Sequence, residues 1–340
     1  MMKAILARPT GGFGLCEVEP PAIGACEILI QMRACGLCGT DLAKLAMGED
    51  TRGVRLGHEL AGVVRAVGAG VTRFAPGHRV IAAHHVPCGD CWACRHGNES
   101  MCSQFKRTNI DPCGFAEMVR IPRLQVERAT ILLPDEMAFD VASFTEPLAC
   151  AVRAVARSHV LPDDHIAIVG GGGMGLLIAQ TVAACGAMPI VLEVSETRIA
   201  LAHALGVMAT INPMQGDVKR AVAAMTKGVG LDGAILTVVN KTILDEVQRL
   251  LRSGGRINIF AGPSDGASLP LDFADLYHRE LSVFSTYSST PASLAEAFDL
   301  LQGNRVQVAP LISHRLPLTA FEEGVELQKS GRAIKVIFHP

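Results

Sequence analysis

Cys88, Cys91, Cys94 and Cys102 stand in the pattern C-x2-C-x2-C-x7-C, and Gly89 and Gly97 let the loop between them fold back on itself. Four thiolates spaced so closely complete a tetrahedral zinc site with no open position, the arrangement of a structural metal. An iron–sulfur cluster is the competing use, because ferredoxins begin with the same three cysteines. Their fourth cysteine comes sooner and precedes a proline, whereas here seven residues intervene and Ser103 follows. Four buried thiols without metal are the bland alternative, unusual in so polar and glycine-containing a loop.

A second group of metal-ligand types is scattered along the chain. Cys35-Gly36-Leu37-Cys38-Gly39-Thr40-Asp41 precedes Leu56-Gly57-His58-Glu59, and Phe144-Thr145-Glu146-Pro147 comes much later. Each is weak alone, since a lone histidine is usually an ordinary core or surface residue. Together they offer a thiolate, an imidazole and two carboxylates, which suits a zinc that keeps one position open for water or substrate. The expected ligands are Cys38, His58 and one or both of Glu59 and Glu146. Cys150, one helical turn beyond Glu146, is the alternative third ligand, although a small buried thiol is its plainer role. Cys35 is expected to pack or line the site, Cys16, Cys26, Cys113 and Cys185 to be simple thiols, and Asp41 to orient a ligand.

Gly170, Gly172 and Gly175 form G-x-G-x-x-G after an apolar run at 166–169 and open a helix, the context a dinucleotide-binding turn needs. The first glycine permits the tight turn, the second admits the pyrophosphate and the third lets the helix pack closely. The phosphates then meet free N–H groups at the helix N-terminus. About 20 residues on, the second strand ends at Glu193, where a carboxylate can accept both ribose hydroxyls and repel a 2′-phosphate. That favours NAD over NADP. Arg198 pulls the other way, as an arginine near this ribose accommodates a 2′-phosphate; a solvated strand end and a helix surface charge are their plain readings.

These groups need two kinds of scaffold. Before about residue 146 the chain reads as short β segments parted by turn dipeptides, such as 62–67, Pro76-Gly77 and 80–83. Afterwards the apolar runs 166–169, 190–194, 234–238 and 257–260 alternate with helix-length stretches, which predicts βαβ units and a parallel sheet covered on both faces. Ser195 reads as an N-cap, and Gly186 and Gly206 as helix ends. The last stretch changes style again: Leu318, Phe321 and Val325 have helical spacing, Gly331 is a stop, and Ile334, Val336 and Phe338 alternate as a strand. The charge-free stretch 166–192 raises the question of a membrane span, which four consecutive glycines and Pro189 argue against.

A length of 340 residues fits two domains with ample material for a buried core. Lys and Arg number 31 against 33 Asp and Glu, so no basic footprint for nucleic acid exists. Eleven cysteines is an odd count, and Met1, Met2 and Lys3 run straight into a strand-like segment rather than a leader. Thiols or metal ligands in a cytoplasmic protein are expected, with no membrane partner.

With these motifs in this order, the chain resembles the zinc-containing medium-chain dehydrogenases, and within them the sorbitol and threonine dehydrogenase branch. The resemblance implies an α/β fold in which a GroES-like catalytic domain, built from both chain ends (1–148 and 288–340), brackets a Rossmann domain (149–287). It places Cys38, His58 and Glu59 on the catalytic-zinc positions, Glu146 on an acidic position that ligates directly or through water, and Cys88, Cys91, Cys94 and Cys102 on the structural zinc. Met174, Glu193, Arg198, Phe260, Ala261 and Gly262 fall on cofactor contacts. A homodimer or homotetramer is implied. The chain departs from the family pattern at Ala43, where a proton-relay histidine often stands, and at Thr286, near where sorbitol dehydrogenases place a substrate-binding arginine. His85 matches an active-site histidine of threonine dehydrogenases and is equally an ordinary loop histidine.

The reaction so implied is oxidation of a secondary alcohol to a ketone, with zinc as Lewis acid and nicotinamide as hydride acceptor. Thr40 is the expected first proton acceptor, passing the proton to a ribose hydroxyl or to His85; a turn-forming hydroxyl is its plain role. The alternatives are a simple alcohol or aldehyde dehydrogenase, an NADP-dependent ketone reductase, a zinc-free reductase on the same scaffold, which would lack the ligand set, and a non-catalytic protein recruited from the fold.

Overall fold

The computed structural model describes residues 1–8, 12–46, 53–262, 268 and 271–340. Along the chain run strands β1 (Met2–Ala7), β2 (Phe13–Val18), β3 (Ile28–Gly36), β4 (Glu59–Val67), β5 (Arg79–Ala82), β6 (Met118–Ile121) and β7 (Thr130–Leu132). There follow β8 (His165–Val169), β9 (Met188–Leu192), β10 (Ala209–Ile211), β11 (Leu231–Leu236), β12 (Leu251–Ile259) and β13 (Ser282–Ser285), then β14 (His314–Pro317) and β15 (Val336–His339). Two compact units result: Met1–Ala149 with Ser289–Gln302 and Val308–Pro340, and Cys150–Ser288 with Gly303–Gln307.

The second unit is a six-stranded parallel sheet in the order β10-β9-β8-β11-β12-β13. Its order reverses between β8 and β11, and ligands of such sheets bind at that switch, beyond the carboxyl ends of the strands. Ile166, Ala167, Ile168, Ile190, Val191, Ile235 and Leu236 are all buried, as strands covered on both faces must be. The charge-free stretch is a strand, a helix and a strand, and no helix among the described residues is long and apolar enough to cross a membrane. β9 ends at Leu192, short of the anticipated 194, because the Glu193 side chain takes the N–H groups of Val194 and Ser195. Ser195 does cap the next helix in position, without a side-chain hydrogen bond, and Gly186 and Gly206 follow helix ends at φ of 81° and 80°.

The first unit is a seven-stranded sheet ordered β14-β15-β3-β4-β5-β7, with β6 also on β3 and a separate β1-β2 pair. Here the chain end returns: β15 pairs antiparallel with β3 through Ile337↔Gly36 and Phe338↔Cys35. Phe115, Phe321 and Phe338 pack with ring centroids 5.3–5.4 Å apart. Leu318, Phe321 and Val325 are buried as their spacing required. The expected one-sided alternation of the last strand does not hold. Both faces of β15 are covered, and Lys335 and Ile337 are buried together with Val336 and Phe338.

Candidate active site

β3 delivers Cys38 to the start of helix α1 (Gly39–Leu45), and β4 begins directly after His58. Asp41, fully buried, clips the two together. Its Oδ2 accepts the Cys38 N–H at 3.1 Å, and its Oδ1 accepts the Gly57 N–H at 2.9 Å and stands 3.5 Å from His58 Nδ1. Burial pushes its carboxyl up, but His58 and the Gly57 N–H outweigh burial and hold it below the usual range. Nδ1 facing a carboxylate leaves Nε2 to ligate. Cys38 Sγ, a His58 ring nitrogen and a Glu59 oxygen all lie within 4.8 Å of one another. Burial disfavours a cationic His58, yet Asp41 and Cys38 more than reverse this, so the pocket calls for positive charge. A divalent metal on these three donors would supply it.

A residue the sequence did not single out completes the site. Lys335 Nζ donates to Glu59 Oε1 at 2.6 Å and also pairs with Oε2, while its ammonium lies over the Phe144 ring, 5.6 Å from the centroid. Burial would lower its pKa; the charge on Glu59 outweighs burial and raises it. Glu59 Oε2 carries that ion pair but no aligned hydrogen bond, so the carboxylate keeps lone pairs that a metal could take. Gly36 sits opposite Glu59 in the ladder, and a Cβ there would come within 1.9 Å of Oε2, so only glycine fits across from this pair.

The other expected residues separate. Glu146, in the first turn of α2 (Thr145–Arg157), is buried and accepts the Ser289 hydroxyl at 3.4 Å, but lies outside the 4.8 Å ligand group, as does Cys150. Thr40 is exposed with Oγ1 3.6 Å from Cys38 Sγ. Cys35 is fully buried, and burial pushes its thiol well above its ordinary value, as a packing residue rather than a ligand. Thr286 is buried in a hydroxyl–amide pair with Asn258, at 2.9 and 3.1 Å, and serves the core. His85 Nδ1 lies 2.5 Å from the Thr108 carbonyl, and burial brings its pKa down to about 4. Between His85 and His58 stands His84, which the sequence reading passed over; its ring centroid is 4.7 Å from that of His58 and 4.0 Å from that of His85. Burial, reinforced by His58 and His85, holds it neutral.

The four-cysteine loop closes on itself. Sulfur separations are 3.8 Å for Cys88–Cys94, 3.5 Å for Cys91–Cys94 and 3.6 Å for Cys88–Cys102. A tetrahedral zinc with bonds of about 2.3 Å spaces its sulfurs by about 3.8 Å. Backbone N–H groups of Cys88 and Gln104 bring the Cys102 thiol down to about 6 against its burial, while burial and the hydrogen bond with Cys91 push Cys94 up to about 12.

In the second unit β8 runs into Gly170 at φ 98°, and helix α3 (Gly173–Ala184) opens behind Gly172. A Cβ on Gly175 would stand 1.8 Å from the Gly170 carbonyl oxygen, whereas one on Gly172 meets nothing within 4 Å. The open space at Gly172 is where the pyrophosphate of a dinucleotide would lie. Met174 is half-buried in the first turn of α3. Glu193 accepts N–H bonds from Gly171 at 2.6 Å, Val194 at 2.8 Å and Ser195 at 2.9 Å, with Arg198 3.7 Å away. A carboxylate has about four acceptor sites, so these bonds leave part of its capacity for a ribose. Phe260 and Ala261 follow β12 with their N–H groups on the Leu236 carbonyl, and Gly262 comes next, all beyond the carboxyl ends of the strands.

An open thiolate–imidazole–carboxylate site in one unit and a dinucleotide turn in the other define a metal- and nucleotide-dependent oxidoreductase. Residues 24–133 match the alcohol dehydrogenase GroES-like domain, and residues 173–303 match the zinc-binding dehydrogenase family. The chain is 30% identical over 348 residues to the L-threonine 3-dehydrogenase of Bacillus subtilis, covering 100% of this chain and 99% of that protein. It is 29% identical over 349 residues to the sorbitol dehydrogenase of Halalkalibacterium halodurans, covering 100% and 99%. A protein from Sinorhizobium meliloti 1021 described as a zinc-binding dehydrogenase, solved bound to NADP, matches with a TM-score of 0.90 at 30% identity, over 100% of this chain and 99% of that one. The chain belongs to the zinc-containing medium-chain alcohol dehydrogenase family.

Proposed function

We propose that the chain oxidises a secondary alcohol to a ketone with NAD, at a zinc held by Cys38, His58 and Glu59. The observation that carries this is the convergence of those three donor atoms within 4.8 Å, two of the residues being buried. When bound, zinc supplies Lewis acidity and the nicotinamide accepts the hydride. Asp41 orients His58, Lys335 holds Glu59, and Glu146 adds negative charge nearby. Thr40, beside Cys38, takes the proton from the alcohol hydroxyl. For the onward transfer the cofactor's ribose hydroxyl is the better route, because a histidine with a pKa of about 4 and Nδ1 committed to the Thr108 carbonyl accepts protons poorly near neutral pH. NADH formation over a panel of secondary alcohols tests the role; a zinc-loaded enzyme that reduces NAD with none of them overturns it. We include a homodimer or homotetramer in this reading. It is supported by β13, an edge strand whose outer side is unpaired among the described residues, and mass in solution checks it.

Two metals of unequal lability follow. The loop offers four thiolates and no vacancy, whereas the open site offers one thiolate. A chelator is expected to remove one zinc together with activity while the second zinc and the folded state persist. Loss of both metals in one step with unfolding contradicts the assignment.

NAD preference rests on Glu193. Glu193→Ala is expected to weaken NAD binding by about 1–3 kcal/mol, the value of a lost charge-assisted hydrogen bond, and to weaken NADP binding less. A wild-type preference for NADP would instead support the ketone-reductase reading, which Arg198, 3.7 Å from Glu193, favours. Paired cofactor titrations decide between the two.

A further inference from the structure

Four thiolates outweigh the two charges of a zinc ion, so sulfurs bound in this way need N–H donors or positive charge beside them. The loop's own backbone supplies the donors. Cys88 N–H lies 3.4 Å from Cys102 Sγ, and Cys91 N–H lies 3.3 Å from Cys88 Sγ. Gly89 N–H faces Cys94 and opposes the rise that burial and Cys91 give that thiol. A planar trans peptide points its carbonyl away from its N–H, so the carbonyls of Pro87 and Cys88, which share peptide units with the N–H groups of Cys88 and Gly89, face away from the sulfurs. One side chain takes both. Arg128 Nη1 donates to the Pro87 carbonyl at 3.1 Å and to the Cys88 carbonyl at 2.6 Å. Arg128 ends the helix Arg123–Arg128, 40 positions along the chain from Cys88, and that helix is tied to the segment entering the loop. Fully buried Gln125 donates to the His84 carbonyl at 3.0 Å, and Ala83 N–H donates to the Ala129 carbonyl at 2.9 Å. Gly89 stands at φ 80°, and a Cβ there would come within 3.1 Å of Arg128 Nη1, so the loop leaves the guanidinium its place.

We propose that Arg128 is a positioning residue of the four-cysteine metal site: by holding the outer ends of two peptide units, it keeps their N–H groups on Cys102 and Cys94 and passes part of its positive charge inward to a tetrathiolate zinc. Hydrogen bonds in such a chain polarise one another, so a cation on the carbonyl strengthens the N–H of the same peptide as a donor. A guanidinium suits the role because it offers donors in fixed geometry to two carbonyls at once, which an ammonium on a flexible stem does less well. Arg128 is exposed, and screening by solvent holds its effect to the lower end of the range for groups that orient metal ligands. The inference rests on the zinc assigned to this loop and is independent of which alcohol is oxidised.

The test compares wild type, Arg128→Met and Arg128→Lys, with Arg123→Met as the control, since Arg123 is an exposed arginine of the same helix paired with Glu127. Zinc transfer to a chromogenic chelator is expected in two phases, the slow one from the loop. That slow phase is expected to be about 10-fold faster in Arg128→Met, with the fast phase unchanged. Arg128→Lys is expected to recover part of the difference, and Arg123→Met to match wild type. A second readout is spectroscopic. With cobalt in place of the loop's zinc, the sulfur-to-cobalt charge-transfer band is expected to move to longer wavelength in Arg128→Met, because a thiolate that loses N–H bonds gives up its electrons more readily. A residue that only props the loop would leave the band in place. Should Arg128→Met fail to fold, Arg128→Lys and Arg128→Gln carry the same comparison. A slow phase and a band both unchanged on replacing Arg128 overturn the inference. A wild type that binds a single zinc overturns the loop assignment and the inference with it, while the alcohol-oxidising role stands.

Discussion

Cys38→Ala is expected to lower kcat/KM for alcohol oxidation by at least about 10³-fold, to reduce the metal content from two zincs per chain to one, and to leave NADH binding intact. Lewis-acid help is worth several kcal/mol, and each 1.36 kcal/mol is tenfold in rate, so losing about 4 kcal/mol accounts for the lower bound. Cys38 is the informative ligand because its side chain has little other work. It stands half-buried at the N-terminus of α1, and the bond that ties it to Asp41 comes from its backbone N–H, which alanine keeps. His58, by contrast, stacks on His84, so replacing it would disturb packing as well as ligation. Emission analysis of the purified variant, a fluorescence titration with NADH and steady-state rates check the three parts. A variant that retains both zincs and the wild-type rate removes Cys38 from the ligand set.

Both candidate metal sites were legible in the sequence to the extent that their residues are local. Four cysteines within fifteen positions state their geometry by spacing alone, and Cys38 and His58 are recognisable beside turn glycines. The parallel sheet was legible for a related reason: strands buried on both faces read as unbroken apolar runs, as at Ile166, Ala167 and Ile168. Lys335 was not legible. It meets Glu59 from 276 positions away, and nothing in Ile334-Lys335-Val336 distinguishes it from an outward-facing strand lysine. The error about β15 and the omission of Lys335 have one physical cause. Alternation predicts one solvated face, and here residues of both faces, Lys335 and Ile337 as well as Val336 and Phe338, are buried. Glu193 shows the converse, since its position was legible but its three backbone bonds were not, because they depend on how the turn at Gly171 approaches the strand end.

Lys335→Met is expected to destabilise the metal-free protein by about 3–5 kcal/mol, because it leaves the Glu59 carboxylate buried without its counter-charge. The side chains are 10% and 0% exposed, so water offers little relief. Methionine keeps the stem that packs near Phe144 and removes only the charge. Zinc then decides between a structural and a functional reading of the pair. If Glu59 is a ligand, the metal supplies the cation that methionine lacks, and added zinc is expected to raise the melting temperature of Lys335→Met more than that of wild type. If Lys335 merely anchors β15, zinc shifts both by the same amount. The pH dependence carries the matching sign. Because the folded-state pKa of Lys335 is raised above its ordinary value near 10.5, its contribution is fully present below that pH and is lost as pH rises through the higher folded value. Wild type is therefore expected to lose its advantage over Lys335→Met only in strongly alkaline solution, and calorimetry of the two proteins with zinc, with chelator and across alkaline pH measures all three effects.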